Sequence, residues 1–268
     1  MESSRPKRHD KPKRVPLAGC IFCGGRPLTA EHGLPEWLRT FAGLDYPDGR
    51  IELKRDDEVT HQKSAPAFSQ KFRVVCEDCN TGWMHHLEEA VKTALAAMVH
   101  GKPTTLTSQT ARYLTTWLVK IFCVLEYADL VTGENIPREH YDQLFERKVR
   151  PPDWCQAWIA SAPVPRTHEE THVVEKCCER INVHANAVTG GEQYWWFGTI
   201  RIGAAMLQVV GSRGDHPLHL NRKYLGNRVA QLWPKERLLV SFPPGRPVSF
   251  DEMRPREMGP MTAERLLT

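Results

Sequence analysis

Long apolar runs are missing from this sequence, and with them the usual signs of a membrane or exported protein. No stretch of its 268 residues approaches the roughly 18 apolar residues of a membrane-spanning helix. The opening residues, MESSRPKRHDKPKR, contain no apolar segment of the kind that a signal peptide needs. We therefore expect a soluble, cytoplasmic protein without a membrane partner, and 41% hydrophobic residues suffice for a sizeable core.

Repeats and nucleotide-binding glycine fingerprints are missing too. The chain shows no internal repeat, no P-loop and no dinucleotide-binding motif. It does contain eight cysteines. In a reducing cytoplasm, regularly spaced cysteine pairs bind metal rather than form disulfides.

The net positive charge is concentrated at the N-terminus. Residues 1–14 contain six Lys or Arg and two acidic residues; removing them from the totals of 36 and 32 leaves 30 of each. A basic segment punctuated by proline cannot bury apolar surface. We therefore expect residues 1–16 to form a disordered arm that is attracted to a polyanion. The alternative is a solubilising leader.

Two Cys-x2-Cys pairs organise the first third of the chain: Cys20 with Cys23 in CIFCGG, and Cys76 with Cys79 in VCEDCN. Two such pairs supply the four thiolates of a closed tetrahedral site, and we predict structural Zn²⁺ there. Gly24 and Gly25 permit the positive φ values of a tight metal-binding turn. The remaining cysteines lack this spacing and are predicted to be core thiols: Cys123, Cys155, Cys177 and Cys178.

Apolar stripes of 3.6-residue period predict two core helices, over 83–98 and 114–125, that pack on each other. Shorter helices are expected after Pro35, with Trp37, Leu38 and Phe41 on one side, and over 137–148. A strand is predicted at 71–75. The polar stretch 45–70 is expected to be an insertion or a long hairpin that lies on the cysteine-bearing unit.

Beyond Trp154 the pattern changes to strands separated by turns. Segments 156–162, 181–188, 194–210 and 237–242 predict an antiparallel sheet beside the helices. The basic piece 219–224 could touch a phosphate backbone; the alternative is a solvated loop before a short helix. The aromatic run 194–197 could stack bases, but adjacent strand residues face opposite sides, so two or three of these side chains are expected in the core.

The order of motifs, CIFCGG…TAEHGLPEWL…VCEDCNTGWMHHLE, resembles the HNH endonuclease family. It looks most like a divergent group of bacterial and phage proteins with EHxxPxW and CNxGW, and the resemblance covers residues 20 to about 98. It implies a ββα-metal finger built on a treble-clef zinc site. It also implies hydrolysis of nucleic acid, DNA more than RNA. In this family the roles would be His32 as the general base, Glu31 as a ligand of Mg²⁺ or Mn²⁺, and Asn80 completing the metal site.

Two features depart from the family pattern. Residues 33–79 contain no asparagine to brace the hairpin, so His61, Asp56 or Asp57 would substitute, or the brace is absent. Glu31 and His32 would face opposite sides of a regular strand, so they can share a site only at a strand end or a twist.

A purely structural interpretation of the motif also stands. In it, His32 is a polar residue that helps to hold the finger together, and Asn80 is a helix cap. His85 and His86 lie one helical turn beyond Asn80; one of them could face the site, and exposure of both is the simpler expectation.

The sequence therefore predicts an α+β protein in three parts: the arm 1–16, an HNH-like zinc finger over 17–101 with the insertion 45–70, and a domain of helices and antiparallel sheet over 102–268. The predicted function is metal-dependent endonuclease activity. One alternative is a catalytically inactive zinc-finger module that binds nucleic acid or a protein partner, which the missing asparagine favours. Another is a structural zinc domain that serves an unknown C-terminal activity.

Overall fold

The computed structural model describes residues 17–43, 50–55, 58–64, 68–128, 136–163, 172–181, 193–213, 223–234 and 239–253. The predicted arm, the basic residues 219–222 and most of the predicted strand 181–188 lie outside these ranges. Within them the chain combines helices with antiparallel sheets, as expected. No helix in the described part of the chain is long and apolar enough to cross a membrane.

A small two-stranded sheet lies between the cysteine pairs. Strand β1 (Leu28–His32) follows the first pair and runs antiparallel to β4 (Lys71–Cys76), which leads into the second pair. The predicted strand at 71–75 is therefore confirmed. Between β1 and β4, strands β2 (Arg50–Arg55) and β3 (Glu58–Ser64) form an antiparallel hairpin within the polar stretch, one of the two forms expected there.

The helix predicted after Pro35 is short. Helix α1 (Trp37–Thr40) buries Trp37 and Leu38. Phe41 was predicted on the same apolar side, and this is wrong: its side chain is exposed, and the Nζ of Lys92 lies 5.1 Å from the ring centroid. The Phe41 N–H still donates to the Trp37 carbonyl over 2.7 Å, so Phe41 keeps the helical phase of Trp37, but its ring lies against Lys92 at the surface instead of in the core.

A nearly continuous helical segment begins at the second cysteine pair. Helix α2 (Glu77–Cys79) passes through a π-helical turn (Asn80–Met84) into helix α3 (His85–Val99). Gly82, at φ −88° and ψ −112°, interrupts the regular helix in that turn. Helix α3 packs against α4 (Ser108–Leu125), which confirms that the two apolar stripes face each other.

Two further elements flank α4. Strand β5 (Thr104–Thr107) precedes it and was not predicted, because its threonines were interpreted as the start of the helix. The Thr107 hydroxyl does cap the helix, since it accepts a hydrogen bond from the Thr110 N–H. Helix α5 (Arg138–Arg147) confirms the helix predicted over 137–148.

The C-terminal half contains a five-stranded antiparallel sheet in the order β10-β6-β9-β8-β7. Its strands are β6 (Cys155–Ser161), β7 (His172–Ile181), β8 (Gln193–Ile202), β9 (Ala205–Arg213) and β10 (Val229–Trp233). The predicted segment 194–210 is thus two strands, which turn at Gly203 with φ +56°. Strand β11 (Leu239–Phe242) pairs with β5, a 3₁₀ helix covers Lys223–Arg228, and α6 covers Phe250–Met253.

One apolar core includes residues from both sides of residue 101. Phe22, Leu87, Trp117 and Trp196 all belong to it. Trp196 and Phe197 are buried, as expected for part of the aromatic run. Among the predicted core thiols, Cys123 and Cys155 are fully buried. The other two, Cys177 and Cys178, belong to β7.

Candidate functional site

The four predicted metal ligands come together. One Sγ from each of Cys20, Cys23, Cys76 and Cys79 lies within 4.8 Å of the others, and this cluster could hold a metal ion. The Sγ of Cys23 lies 3.4 Å from that of Cys76 and 3.6 Å from that of Cys79. It is the one cluster of this kind among the residues that the structure describes.

The first cysteine turn is built closely around the sulfurs. Gly24 has φ +75°, in the left-handed region that favours glycine. A Cβ on Gly25 would lie 3.2 Å from the Cys23 sulfur and 3.5 Å from the Cys76 sulfur, so a side chain there would crowd the ligands. The Gly25 N–H donates to the Cys23 sulfur over 3.3 Å. The positive φ predicted for Gly24 is thus confirmed, whereas the one predicted for Gly25 is wrong: Gly25 is required because its backbone lies so close to the sulfurs.

The thiols of the cluster differ in acidity. Burial raises the pKa of Cys79 and that of Cys76 above the ordinary thiol value. Burial also acts to raise the pKa of Cys23, but the Gly25 N–H and the neighbouring thiols outweigh it, so the net shift of this pKa is downward. Cys23 is thus the most readily ionised of these three thiols. A bound cation would favour the thiolate form of all of them.

Strand β1, the segment 35–37, the π-helical turn and the start of α3 line an open cleft of about 260 Å³. The motif residues Glu31, His32 and Asn80 all line it. The remaining lining residues come from the same part of the chain: Ala30, Pro35, Glu36, Trp37, His85, Glu88, Glu89 and Lys92. The structure therefore brings the three residues of the proposed nuclease motif to one place.

Glu31 and His32 share the cleft because β1 ends there. The register of β1 against β4 shifts between Thr29 and Ala30, and His32 is the last residue of the strand. Gly33 follows at a point where a Cβ would lie 2.9 Å from side-chain atoms of Phe72 and Leu125, so a larger residue there would require those side chains to shift. A strand end is one of the two arrangements that the sequence left possible for this pair.

The imidazole of His32 is partly buried, with 19% of its side chain exposed. Burial, followed by the positive charge of Lys71, lowers its pKa below the ordinary histidine value; Glu36 and Glu31 act more weakly in the opposite direction. The Glu36 carboxylate is the nearest ion partner, at 3.7 Å from Nε2. Near pH 7 the ring is therefore mostly neutral and able to accept a proton.

Asn80 is tied to β1 and does not cap a helix. Helix α2 begins at Glu77, Asn80 lies in the π-helical turn, and no side-chain cap bond is made at either start. Its Nδ2 donates instead to the Thr29 hydroxyl over 3.1 Å, and that hydroxyl donates to the Val75 carbonyl over 3.2 Å. The helix-cap interpretation of Asn80 is therefore wrong, because Cys76 occupies the N-cap position and the helix starts four residues earlier than that role requires.

The carboxylate of Glu31 is bonded to a lysine that the sequence analysis did not single out. Lys120 of α4 has no exposed surface, and its Nζ lies 2.9 Å from Glu31 Oε1 and 2.7 Å from Glu88 Oε1. Burial acts to lower the pKa of Lys120, but the two carboxylates outweigh it and hold this pKa above its ordinary value. The lysine is therefore a permanent cation behind the wall of the cleft.

Four carboxylates and one ammonium group line the cleft itself. Glu36 is paired with Arg39 at 2.9 Å and Glu89 with Lys92 at 3.0 Å, both on the exposed rim. Glu31 and Glu88 are the deeper pair and share Lys120. The lining is therefore acidic, which suits a cation better than it suits a bare phosphate.

The other candidate residues are divided between the cleft and its surroundings. His85 and His86 are both exposed, as expected; His85 lines the cleft, while the ring of His86 lies 6.1 Å from that of Tyr113. Of the possible substitutes for the missing asparagine, His61 belongs to β3, and Asp56 and Asp57 lie outside the described residues.

Sequence reasoning missed Lys120, Glu88 and Thr29. The signal for Lys120 is a charged residue inside the apolar run LVKIFCVL of a core helix, where a lone lysine needs a buried partner. Nothing in the sequence indicates which carboxylates those partners are.

Comparison of the chain with protein-family models, with curated proteins and with solved structures found no match. The resemblance to the HNH family therefore depends on the sequence motifs alone.

Proposed function

We propose that this chain is a metal-dependent endonuclease of the HNH type that hydrolyses phosphodiester bonds of nucleic acid, DNA more than RNA. The observation that carries the proposal is the meeting of Glu31, His32 and Asn80 in one cleft. Between His32 and Asn80 in the sequence lie helix α1, the β2–β3 hairpin, strand β4 and the short helix α2. A base, a carboxylate and an amide within one acidic cleft can support metal-assisted hydrolysis of a phosphodiester.

The sulfur cluster is proposed to hold structural zinc in a treble-clef arrangement. Zinc–sulfur bonds of about 2.3 Å in a tetrahedron require sulfurs about 3.8 Å apart. The separations of the Cys23 sulfur from those of Cys76 and Cys79, 3.4 and 3.6 Å, are close to that spacing. Four cysteine sulfurs without an open position favour zinc among the common metals and give it a structural role.

His32 is proposed to be the general base. Its ring reaches the cleft, and its lowered pKa keeps it neutral at the pH of the cytoplasm, so it can take a proton from an attacking water. Glu31 and Asn80 offer a carboxylate and an amide oxygen, ligands that suit Mg²⁺ or Mn²⁺, and such an ion would stabilise the negative charge that develops at the phosphate.

The orientation of the Asn80 amide supports this assignment. The Thr29 hydroxyl donates its one proton to the Val75 carbonyl, so toward Asn80 it can only act as an acceptor. The amide nitrogen is thereby held on β1, and the amide oxygen is the end that Asn80 can offer to a cation.

Incubation of the purified, zinc-loaded protein with plasmid DNA, with and without Mg²⁺ or Mn²⁺, tests the proposal. We expect nicked or linear DNA that depends on the divalent metal and that the His32→Ala variant fails to produce. A protein that cuts neither DNA nor RNA with either metal would eliminate the nuclease.

The second candidate is a zinc-finger module that binds nucleic acid or a protein partner without cutting. One observation favours it: the Glu31 carboxylate is already bonded to the Lys120 ammonium. The plasmid assay, combined with a binding measurement, separates the two functions because the module would retain DNA or a protein partner without cleavage.

A further inference from the structure

We propose that Lys120 is a positioning residue that sets the affinity of the cleft for its divalent cation by neutralising one of two adjacent carboxylates, Glu31 and Glu88. The inference rests on the proposed nuclease function, because it concerns the cation of that same cleft. It adds a residue from outside the motif, contributed by α4, to the machinery of the site.

The geometry places one ammonium group between two carboxylates. Nζ of Lys120 lies 2.9 Å from Oε1 of Glu31 and 2.7 Å from Oε1 of Glu88, so these two carboxylate oxygens are at most a few ångströms apart. Glu31 belongs to β1, Glu88 to α3 and Lys120 to α4. Three separate elements therefore converge on one charged cluster with a formal net charge of −1, which we call the Lys120 triad.

The ammonium group is fixed in this position. Lys120 lies among fully buried residues of α4, with Val119 before it and Ile121 after it, and has no exposed surface. Because it has no exposed surface and is held by two carboxylates, its charge is little screened by water. A divalent ion bound by Glu31 would therefore experience the full repulsion of the lysine as well as the attraction of both carboxylates.

A purely structural role explains the triad less well. Burying a lysine with two carboxylates is often no more stabilising than apolar packing of the same volume. Nearly all of the other buried residues of α4 are apolar, and an apolar residue at position 120 would continue that surface. Both carboxylates of the triad line the cleft, where their charge matters to a bound cation.

The inference predicts that cation affinity follows the net charge of the triad. Lys120→Met replaces the lysine with an uncharged side chain of similar length, so the ammonium group is lost and the triad has a net charge of −2. Glu88→Gln leaves zero, and the double variant returns to −1. With zinc-loaded, full-length protein, Mn²⁺ binding measured by electron paramagnetic resonance should be tightest for Lys120→Met and weakest for Glu88→Gln, with steps of roughly tenfold. The wild type and the double variant should bind alike.

Glu89→Gln is the matched control. Glu89 lines the same cleft from the next position of α3, but its carboxylate is on the exposed rim and paired with Lys92. The substitution removes the same charge where water screens it, so we expect Mn²⁺ affinity to change by less than about threefold.

Several outcomes overturn the inference. Affinities that are equal across the four proteins, or a double variant that binds no better than the weaker single variant, mean that the triad is structural. If Lys120→Met fails to fold, comparison of Glu88→Gln with the wild type and with Glu89→Gln still tests the inference. An unchanged Mn²⁺ affinity of Glu88→Gln would contradict it. A wild-type protein that neither binds Mn²⁺ nor cuts nucleic acid defeats the proposed function itself, whereas one that does both with no dependence on the triad charge defeats the inference alone.

Discussion

The amide nitrogen of Asn80 donates to the hydroxyl of Thr29 over 3.1 Å, a contact between residues 51 positions apart. It connects the helical turn after the second cysteine pair to the strand after the first pair. Because Thr29 also donates to the Val75 carbonyl, the three groups form a short chain of hydrogen bonds with one possible direction. The amide is therefore oriented before any cation arrives.

This orientation predicts different consequences for two substitutions. Asn80→Ala removes the proposed ligand, so we expect the metal concentration for half-maximal cleavage to rise roughly tenfold, with the rate partly restored at high Mg²⁺. Thr29→Val keeps the ligand and removes only its anchor, at a cost of about 1 kcal/mol in unfolding free energy. Metal titrations of cleavage and denaturant unfolding of both variants check this. A defect of Asn80→Ala that excess metal does not relieve would count against a ligand role.

The second prediction concerns the general base. His32→Ala removes the proton acceptor and leaves the four cysteines and the buried face of α3 in place. Cleavage should fall by roughly 10²–10⁴-fold while folding, metal content and DNA affinity persist. Single-turnover rates, elemental analysis and DNA binding of the same preparation measure these properties.

His86→Ala is the control for this substitution. His86 is an exposed histidine of α3 whose ring approaches Tyr113. It should cleave at the wild-type rate. Equal activity of His32→Ala and His86→Ala would show that His32 is not the base.

The third prediction is a pH dependence. The proposed base must be neutral to accept a proton, and burial together with Lys71 lowers the pKa of His32 below its ordinary value of about 6.5. The cleavage rate should therefore be constant around pH 7 and fall only as the pH drops below about 6.5. The free energy of unfolding should also decrease as the pH drops below about 6.5, because the unfolded chain then binds a proton that the folded chain accepts less readily. A rate profile whose acidic decline begins above pH 7 would contradict this assignment.

The parts of the site that the sequence could predict are those that short-range spacing determines. The separation of two residues between Cys20 and Cys23, and between Cys76 and Cys79, is itself the geometry of a metal-binding turn, and the sulfurs do meet. The strand end at His32 follows in the same way, because Gly33 directly after it marks the turn. These are local features, so the sequence contains them.

The parts that could not be predicted depend on how distant elements pack. Lys120 contacts Glu31 across 89 positions, and no local pattern specifies which face of α4 meets β1. Strand β7 has the sequence HVVEKCCERI, whose charged residues obscure the alternation that would indicate a strand. It becomes a strand by pairing along its length with β8. Pairing partners and helix faces are properties of the whole fold.

The fourth prediction concerns the basic arm, residues 1–14, which lies outside the described residues. If it holds DNA through about four to six phosphates, its deletion should weaken binding and flatten the slope of log affinity against log salt by roughly 0.9 for each phosphate that the shortened protein no longer neutralises. Base preference should not change, because phosphate contacts do not read sequence. DNA binding of full-length and truncated protein at several salt concentrations measures the slopes, and identical slopes would leave the arm a solubilising leader.

The fifth prediction concerns the zinc ion proposed for the sulfur cluster. Cys76 ends β4 immediately before α2, Cys20 and Phe22 are buried, and the Phe22 ring packs edge-on against Trp83 at 5.1 Å. The free energy of metal binding is therefore folding free energy for this part of the chain, of order 10 kcal/mol in comparable small zinc sites. Chelation, or Cys76→Ser, should lower the thermal midpoint steeply and abolish cleavage.

Cys155→Ser is the matched control for the zinc prediction. Cys155 is a fully buried thiol outside the cluster that donates to the Pro152 carbonyl over 3.2 Å. A serine hydroxyl can make the same bond, so we expect a small loss of stability with one equivalent of zinc retained. Elemental analysis and thermal unfolding compare the two serine variants. Less than about half an equivalent of zinc in the wild type, or a Cys76→Ser variant that matches Cys155→Ser in zinc content and stability, would refute the site, because removing one of four ligands cannot leave a closed tetrahedral centre unchanged.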